Sequence, residues 1–130
     1  MLLVKTHLDR STIHGIGLFA SEPIRAGTVI WRLDSTIDVQ LGADQIEALA
    51  PPARAQIRKY TYLDKVLRTW VLCGDDARFF NHAEQPNCRD VPDERGGRTI
   101  AARDIAAGEE LTCDYAAFDA SFRLGGDKGF

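Results

Sequence analysis

The sequence predicts a mainly β domain with one small helical insert. Three observations carry that prediction. Short runs of β-branched and aromatic residues recur along the chain, with glycine, proline or aspartate turns between them. Helical patterning is confined to residues 43–60, "ADQIEALAPPARAQIRKY". The 130 residues, 45% hydrophobic and 27% charged, suit a single soluble domain whose core needs no disulfide or metal.

Each element follows in order. "LLVKTHL" reads as a short opening strand. "STIHGIGLFAS" is strand-like but carries Gly15 and Gly17, which predict a bend or a close backbone approach. "PIRAG" is a turn, "TVIWRL" a strand and "STIDVQL" another short one. Pro51 and Pro52 divide the helical region in two, because proline fits only a helix's first turn. "LRTWVLC" is a strand. "VPDERGGR" turns at Gly96-Gly97 into the strand "RTIAARDI". "AAGEELTCDY" reads as a turn and a strand ending at Tyr115, and "AFDASFRLGGDKGF" as an irregular tail. No repeat or low-complexity linker interrupts the chain.

Composition narrows the function. A net charge of −3 argues against non-specific nucleic-acid binding and is compatible with a basic peptide partner. No apolar run approaches the roughly 20 residues of a membrane helix. The opening "MLLVKTHLDR" lacks the long apolar stretch of a secretory signal. Cys73, Cys88 and Cys113 form no C-x-x-C pair, so reduced core thiols in a cytoplasmic protein are expected.

Three separated patches carry the chemistry. "HGIGLFA", residues 14–20, has two glycines one residue apart, which let a ligand touch the backbone. It lacks the third glycine and following helix of a dinucleotide fingerprint, and a plain β-bend explains it equally well. "RFFNHAEQPN", residues 78–87, sets the apolar pair Phe79-Phe80 against Asn81-His82, whose polar groups need partners if buried. "GEELTCDY", residues 108–115, ends on Tyr115. His7 and His14 have no metal-ligand spacing, and no nucleophile elbow is present.

In this order and spacing the patches resemble the SET domain, the β-fold of S-adenosylmethionine-dependent protein lysine methyltransferases. Arg78-Phe79-Phe80-Asn81-His82 with Pro86-Asn87 is similar to the family's R-F-x-N-H-S-x-x-P-N, and Glu110-Leu111 with Asp114-Tyr115 to its E-L-x-x-D-Y. The resemblance runs from about Gly15 to Tyr115 and implies a minimal form: several small sheets, a C-terminal pseudoknot and a short helical insert at about 43–60. Residues 1–118 would form the domain, and residues 119–130 a tail that covers the channel or cofactor, with Phe122 and Phe130, and Phe118 just before it, as the covering aromatics.

The resemblance implies the site as well. Gly15, Ile16, Gly17, Phe79, Asn81, His82 and Phe118 would contact S-adenosylmethionine. Arg78 would meet the cofactor carboxylate or serve as a structural ion-pair partner. His82 would fix the crossing rather than move protons. Tyr115 would be catalytic. Methyl transfer is an in-line displacement, so positioning is much of the catalysis. The amine, with an ordinary pKa of about 10.4, must attack unprotonated; a dry channel beside a sulfonium depresses that value. A phenol then orients the lone pair.

The pattern departs from the family at Ala83, which stands where a serine is usual. Leu33 and Asp90 occupy the expected channel positions where other members carry tyrosines, leaving Tyr115 as the one phenol expected there. Glu84 stands where a zinc-binding cysteine would, so no metal is expected. The reading is a lysine methyltransferase, with a catalytically weak or inactive cofactor- or peptide-binding module as the alternative. A lysine-containing, basic protein partner is expected, no nucleic acid or membrane, and a homodimer to complete so small a site. Asp34, Asp38, Asp90, Asp93 and Glu94 could line a groove for the peptide or form a solvated face.

Overall fold

Among the described residues four small sheets, none wider than three strands, carry the fold. The computed structural model describes residues 1–122. β1 (Thr6–Arg10) and β2 (Ile16–Ala20) form an antiparallel hairpin. Its turn needs Gly15, whose φ of 48° is the left-handed region. β3 (Val29–Arg32) pairs with β9 (Arg98–Ala101), which pairs with β8 (Cys88–Val91). β4 (Val39–Leu41) and β5 (Thr61–Leu63) flank β6 (Trp70–Leu72).

The helical insert lies between β4 and β5 as α1 (Ala43–Glu47) and α2 (Pro51–Tyr60). The break falls at the proline pair, which occupies the first turn of α2, where a missing N–H costs nothing. Besides the two-residue β7 (Asn81–His82), two strands were not legible. β5 follows α2 without a turn signal, and β8 carries Arg89 and Asp90 in place of an apolar alternation. β8 is held by pairing rather than propensity, whereas Thr61 and Tyr62 of β5 favour a strand but run straight on from the helix.

Leu18, Ile30, Val71, Cys88, Ile105 and Leu111 are fully buried and mark the core. Cys73, Cys88 and Cys113 are free and buried in it, as expected for core thiols. Burial pushes the Cys73 thiol up to about 12, so it stays protonated.

The crossing of two segments positions the site. Residues 108–111 run against β2, with Gly108 N–H donating to the Ala20 carbonyl (2.7 Å) and Leu111 N–H to that of Leu18 (2.7 Å). The chain then forms β10 (Thr112–Cys113), parallel to β7 (Asn81–His82). Asn87 locks this passage. Its amide donates to the Glu110 carbonyl (2.8 Å) and its side-chain oxygen accepts from Thr112 N–H (2.9 Å). Beyond α3 (Tyr115–Phe118) the chain emerges at β5, where Ala120 N–H reaches the Leu63 carbonyl (2.8 Å) and buried Asp119 accepts from Leu63 N–H (3.1 Å). This passage matches the expected C-terminal pseudoknot. The packing against β5 extends past residue 118.

Candidate active site

Asn81 is where the three patches meet. It is only 3% exposed. Its side-chain nitrogen has two hydrogens and three acceptors in reach: the carbonyls of His14 (3.0 Å) and Ile16 (3.3 Å) and Glu110 Oε2 (3.2 Å). Ser11 Oγ donates to the same carboxylate oxygen (3.0 Å). The closeness explains Gly17, where a Cβ would stand 2.7 Å from the Glu110 carboxyl. The neighbouring His14, Gly15 and Ile16 remain exposed, leaving the hairpin end open.

His82 is half-buried, and its Nδ1 accepts from the Tyr115 backbone N–H (3.0 Å). That bond assigns the ring proton of the neutral imidazole to Nε2. His82 thus ties the second patch to the third. Asp114 caps α3 by accepting from Ala116 N–H (2.9 Å), so Tyr115 opens a helical turn rather than ending a strand.

The Tyr115 hydroxyl donates to the Phe80 carbonyl. Burial, then the neighbouring Cys113, Asp119 and Glu110, push its pKa up, so the group is a phenol and not a phenolate. Phe118, Phe122 and the His82 ring stand 5.8, 5.6 and 5.3 Å from its ring. Phe118 also meets Tyr62 edge-on at 4.9 Å. Phe130 lies outside the described residues.

Phe80 and Tyr115 border a cavity of about 90 Å³, whose wall also includes Trp31, Tyr60, Tyr62 and Asp90. That volume is several times the roughly 15 Å³ that one water needs, enough for a slender chain. Tyr60 and Tyr62 were missed in the sequence. Tyr60 ends α2 and Tyr62 lies in β5 directly after it, and the Tyr-x-Tyr spacing of "YTYL" was the available signal. Tyr115 is therefore not the sole phenol. Burial also pushes the Tyr62 pKa well up.

The remaining expected residues distribute as follows. Arg78 is on the cavity wall; it donates to the Cys73 carbonyl (2.8 Å) and lies 5.3 Å over the Tyr60 ring. Phe79 meets Tyr60 edge-on at 6.2 Å. Leu33 packs behind the cavity-lining Gly96, whose φ of 97° and closeness to Leu33 exclude a side chain. Asp90 is in the wall. Burial pushes its carboxyl up to about 6, against the pull of a Thr99 hydrogen bond and with help from Asp114. Of the other acids, buried Asp38 accepts from the N–H groups of Asp34 (2.9 Å) and Gly74 (3.0 Å), and Asp93 ties its own turn through Arg95 (2.7 Å) and Gly97 (3.0 Å). Those two are occupied by the fold itself, while Glu94 is exposed. Among the described residues no three His, Cys, Asp or Glu side chains converge as a metal ligand set, and no helix is long and apolar enough to cross a membrane.

Comparison with known proteins agrees with this geometry. The SET domain matches residues 15–116. The histone-lysine N-methyltransferase ATX2 of Arabidopsis thaliana is 33% identical over 93% of this chain, and an H3 lysine-4 specific histone-lysine N-methyltransferase of Yarrowia lipolytica 36% identical over 82%. The chain spans 12% and 10% of the lengths of those relatives. Among solved structures, a humanized mutant of Polycomb Repressive Complex 2 from Chaetomium thermophilum superposes with a TM-score of 0.63 over 91% of this chain and 16% of that one, at 23% identity.

Proposed function

Because the chain belongs to the SET domain family, we propose that it is a protein lysine N-methyltransferase, moving a methyl group from S-adenosylmethionine to a lysine side-chain amine. The carrying observation is the Phe80–Asn81 pair. The Phe80 backbone carbonyl takes the Tyr115 hydroxyl at the cavity wall, and the Asn81 side-chain amide gathers the His14 and Ile16 carbonyls of the glycine hairpin. Cavity and hairpin are thus tied to adjacent residues, which supports an amine in the one and a methyl donor at the other.

S-adenosylmethionine, when bound, supplies an electrophilic methyl on a cationic sulfur. The residues present fit it. The hairpin end is open at His14, Gly15 and Ile16, where a ligand can come against the chain, and Gly17 lets the Glu110 carboxyl close up beneath it. Asn81 and His82 would hold the cofactor's polar parts, with Phe79 beside them. Arg78, engaged by Cys73 and Tyr60, is proposed to position the Tyr60 ring. The aromatic wall excludes water and lowers the pKa of an entering amine. Tyr115, kept a phenol by burial, orients that amine rather than deprotonating it. Phe118 and Phe122 are proposed as the cover, supported by their packing on Tyr115.

The proposed substrate is a lysine-bearing basic protein, supported by the names of the relatives. The proposed compartment is the cytoplasm or the nucleus, both of which keep thiols such as the three free buried ones reduced; a fluorescent fusion in cells distinguishes them. A homodimer is proposed on exposed Leu8, Ile13 and Ile16 at the hairpin, checked by sedimentation at micromolar concentration. The function itself is tested by calorimetry with S-adenosylmethionine and by transfer of its labelled methyl to lysine-rich protein mixtures. Binding with transfer is expected. Binding without transfer leaves a cofactor-binding module, and no binding overturns the proposal.

A further inference from the structure

One buried carboxylate oxygen on the cavity wall has no partner among the described residues. Asp90, on β8, faces Thr99 of β9, and Thr99 Oγ1 donates to Oδ1 (2.9 Å). The other oxygen, Oδ2, is buried, and among the described residues no donor reaches it. A buried acceptor left unmade is costly, so an isolated one at the edge of a cavity calls for a donor from outside.

The cations of the wall are all engaged elsewhere. Lys65 donates from Nζ to the Ala116 carbonyl, Arg78 to the Cys73 carbonyl, and Arg98 lies 3.8 Å from Asp93. The titratable groups nearest Asp90 offer no compensating charge. Tyr62, Tyr115, Cys73 and Cys113 are held neutral by burial, and Asp114 adds a like charge. Asp64 and Asp119, also on the wall, accept backbone N–H groups of Val66 (2.9 Å) and Leu63 (3.1 Å). The position therefore lacks both a hydrogen and a positive charge.

We infer that Asp90 Oδ2 is the acceptor for the substrate amine, and that this bond makes the cavity prefer an unmodified lysine to a methylated one. The inference rests on the methyl-transfer reading for what enters the cavity. A primary ammonium brings charge and N–H together as it enters, and it keeps N–H groups for Oδ2 after losing the one proton that attack requires. Each methyl on nitrogen replaces an N–H with a group that cannot donate. A site built around a hydrogen bond then rejects the analogue, because its own buried group stays unpaired. Full methylation leaves charge but no donor. The aromatic wall by itself would favour the opposite order, since cation–π contact and burial reward the bulkier trimethylammonium. The direction of the preference therefore separates a carboxylate-directed cavity from a merely aromatic one. Ionisation of Asp90 is part of the device: burial lifts its pKa, and an amine cation seated on Oδ2 would bring it back down.

The test uses the full chain and two lysine side-chain mimics, n-butylammonium and N,N,N-trimethylbutylammonium. Binding is followed at the Trp31 indole N–H, a cavity-wall group, by nuclear magnetic resonance. Titration of Asp90 is followed at its carboxyl carbon. Wild type is expected to bind butylammonium about tenfold or more tightly than the trimethyl compound. Saturating butylammonium lowers the Asp90 pKa, and Asp90→Asn abolishes most of the preference. Equal or tighter binding of the trimethyl compound, an Asp90 titration unmoved by butylammonium, or a preference retained in Asp90→Asn overturns the inference. The carboxyl titration is read in wild type, so it stands even where the variant folds poorly. Neither readout needs methyl transfer. Loss of transfer with the amine preference intact removes the enzyme reading alone, and transfer without the preference removes the role of Asp90 alone.

Discussion

Tyr115 and Asp90 show how burial assigns roles to two titratable side chains in one cavity. Burial keeps the phenol protonated, and its hydrogen is committed to the Phe80 carbonyl. Tyr115→Phe keeps the ring and its aromatic contacts but removes that bond. Methyl transfer is expected to fall on the order of a hundredfold, measured with labelled cofactor, while the unpaired Phe80 carbonyl costs about 1–3 kcal/mol of stability. The carboxyl of Asp90 moves from an ordinary 3.8 to about 6. That shift corresponds to about 3 kcal/mol by linkage. The folded state holds the proton more tightly than the unfolded chain. The associated stability is therefore fully present below pH 3.8 and lost as pH rises through about 6. Asp90→Asn removes this dependence. Urea unfolding between pH 4 and 8 is expected to show the variant gaining on wild type as pH rises, with the gap closing toward pH 4. A constant gap would mean that Asp90 titrates as it does in the unfolded chain.

At the scale of elements, Asn87 holds the crossing. Its side chain serves the Glu110 carbonyl and the Thr112 N–H, and its own N–H reaches Thr112 Oγ1 (3.1 Å). It thus fixes the segment that carries both Glu110 and Tyr115 to the start of β8. Asn87→Ala leaves a buried carbonyl and a buried N–H without partners. The expected loss is about 2–5 kcal/mol, read from denaturant midpoints. Affinity for S-adenosylmethionine should weaken with it, because Glu110 and Asn81 lose their common reference. The Thr112 side chain is the milder control, since Thr112→Val removes only the hydroxyl end of this lock.

Over the whole molecule, legibility followed the kind of information each residue carries. The proline pair announced the split helix, and the glycines at 15 and 17 announced a close backbone approach, because each answers a local steric demand. The N-H and D-Y motifs located the crossing because resemblance supplied the long-range pairing that spacing alone cannot. Tyr60 and Tyr62 escaped because no local rule says which face of an insert-to-strand junction lines a cavity. Asp90 is a channel position by resemblance, yet its missing partner is visible only once Thr99 and the engaged cations Lys65, Arg78 and Arg98 are in place. Leu33, also a channel position by resemblance, packs on Gly96. Local demands are written in a sequence; partners across 20 or more residues are settled by the fold.

The most direct measurement is an isotope-filtered nuclear Overhauser experiment on the full chain saturated with S-adenosylmethionine carrying a 13C methyl. The account predicts contacts from that methyl to the Tyr115 ring and to Phe80. A saturated complex whose methyl contacts only residues away from the cavity would contradict it.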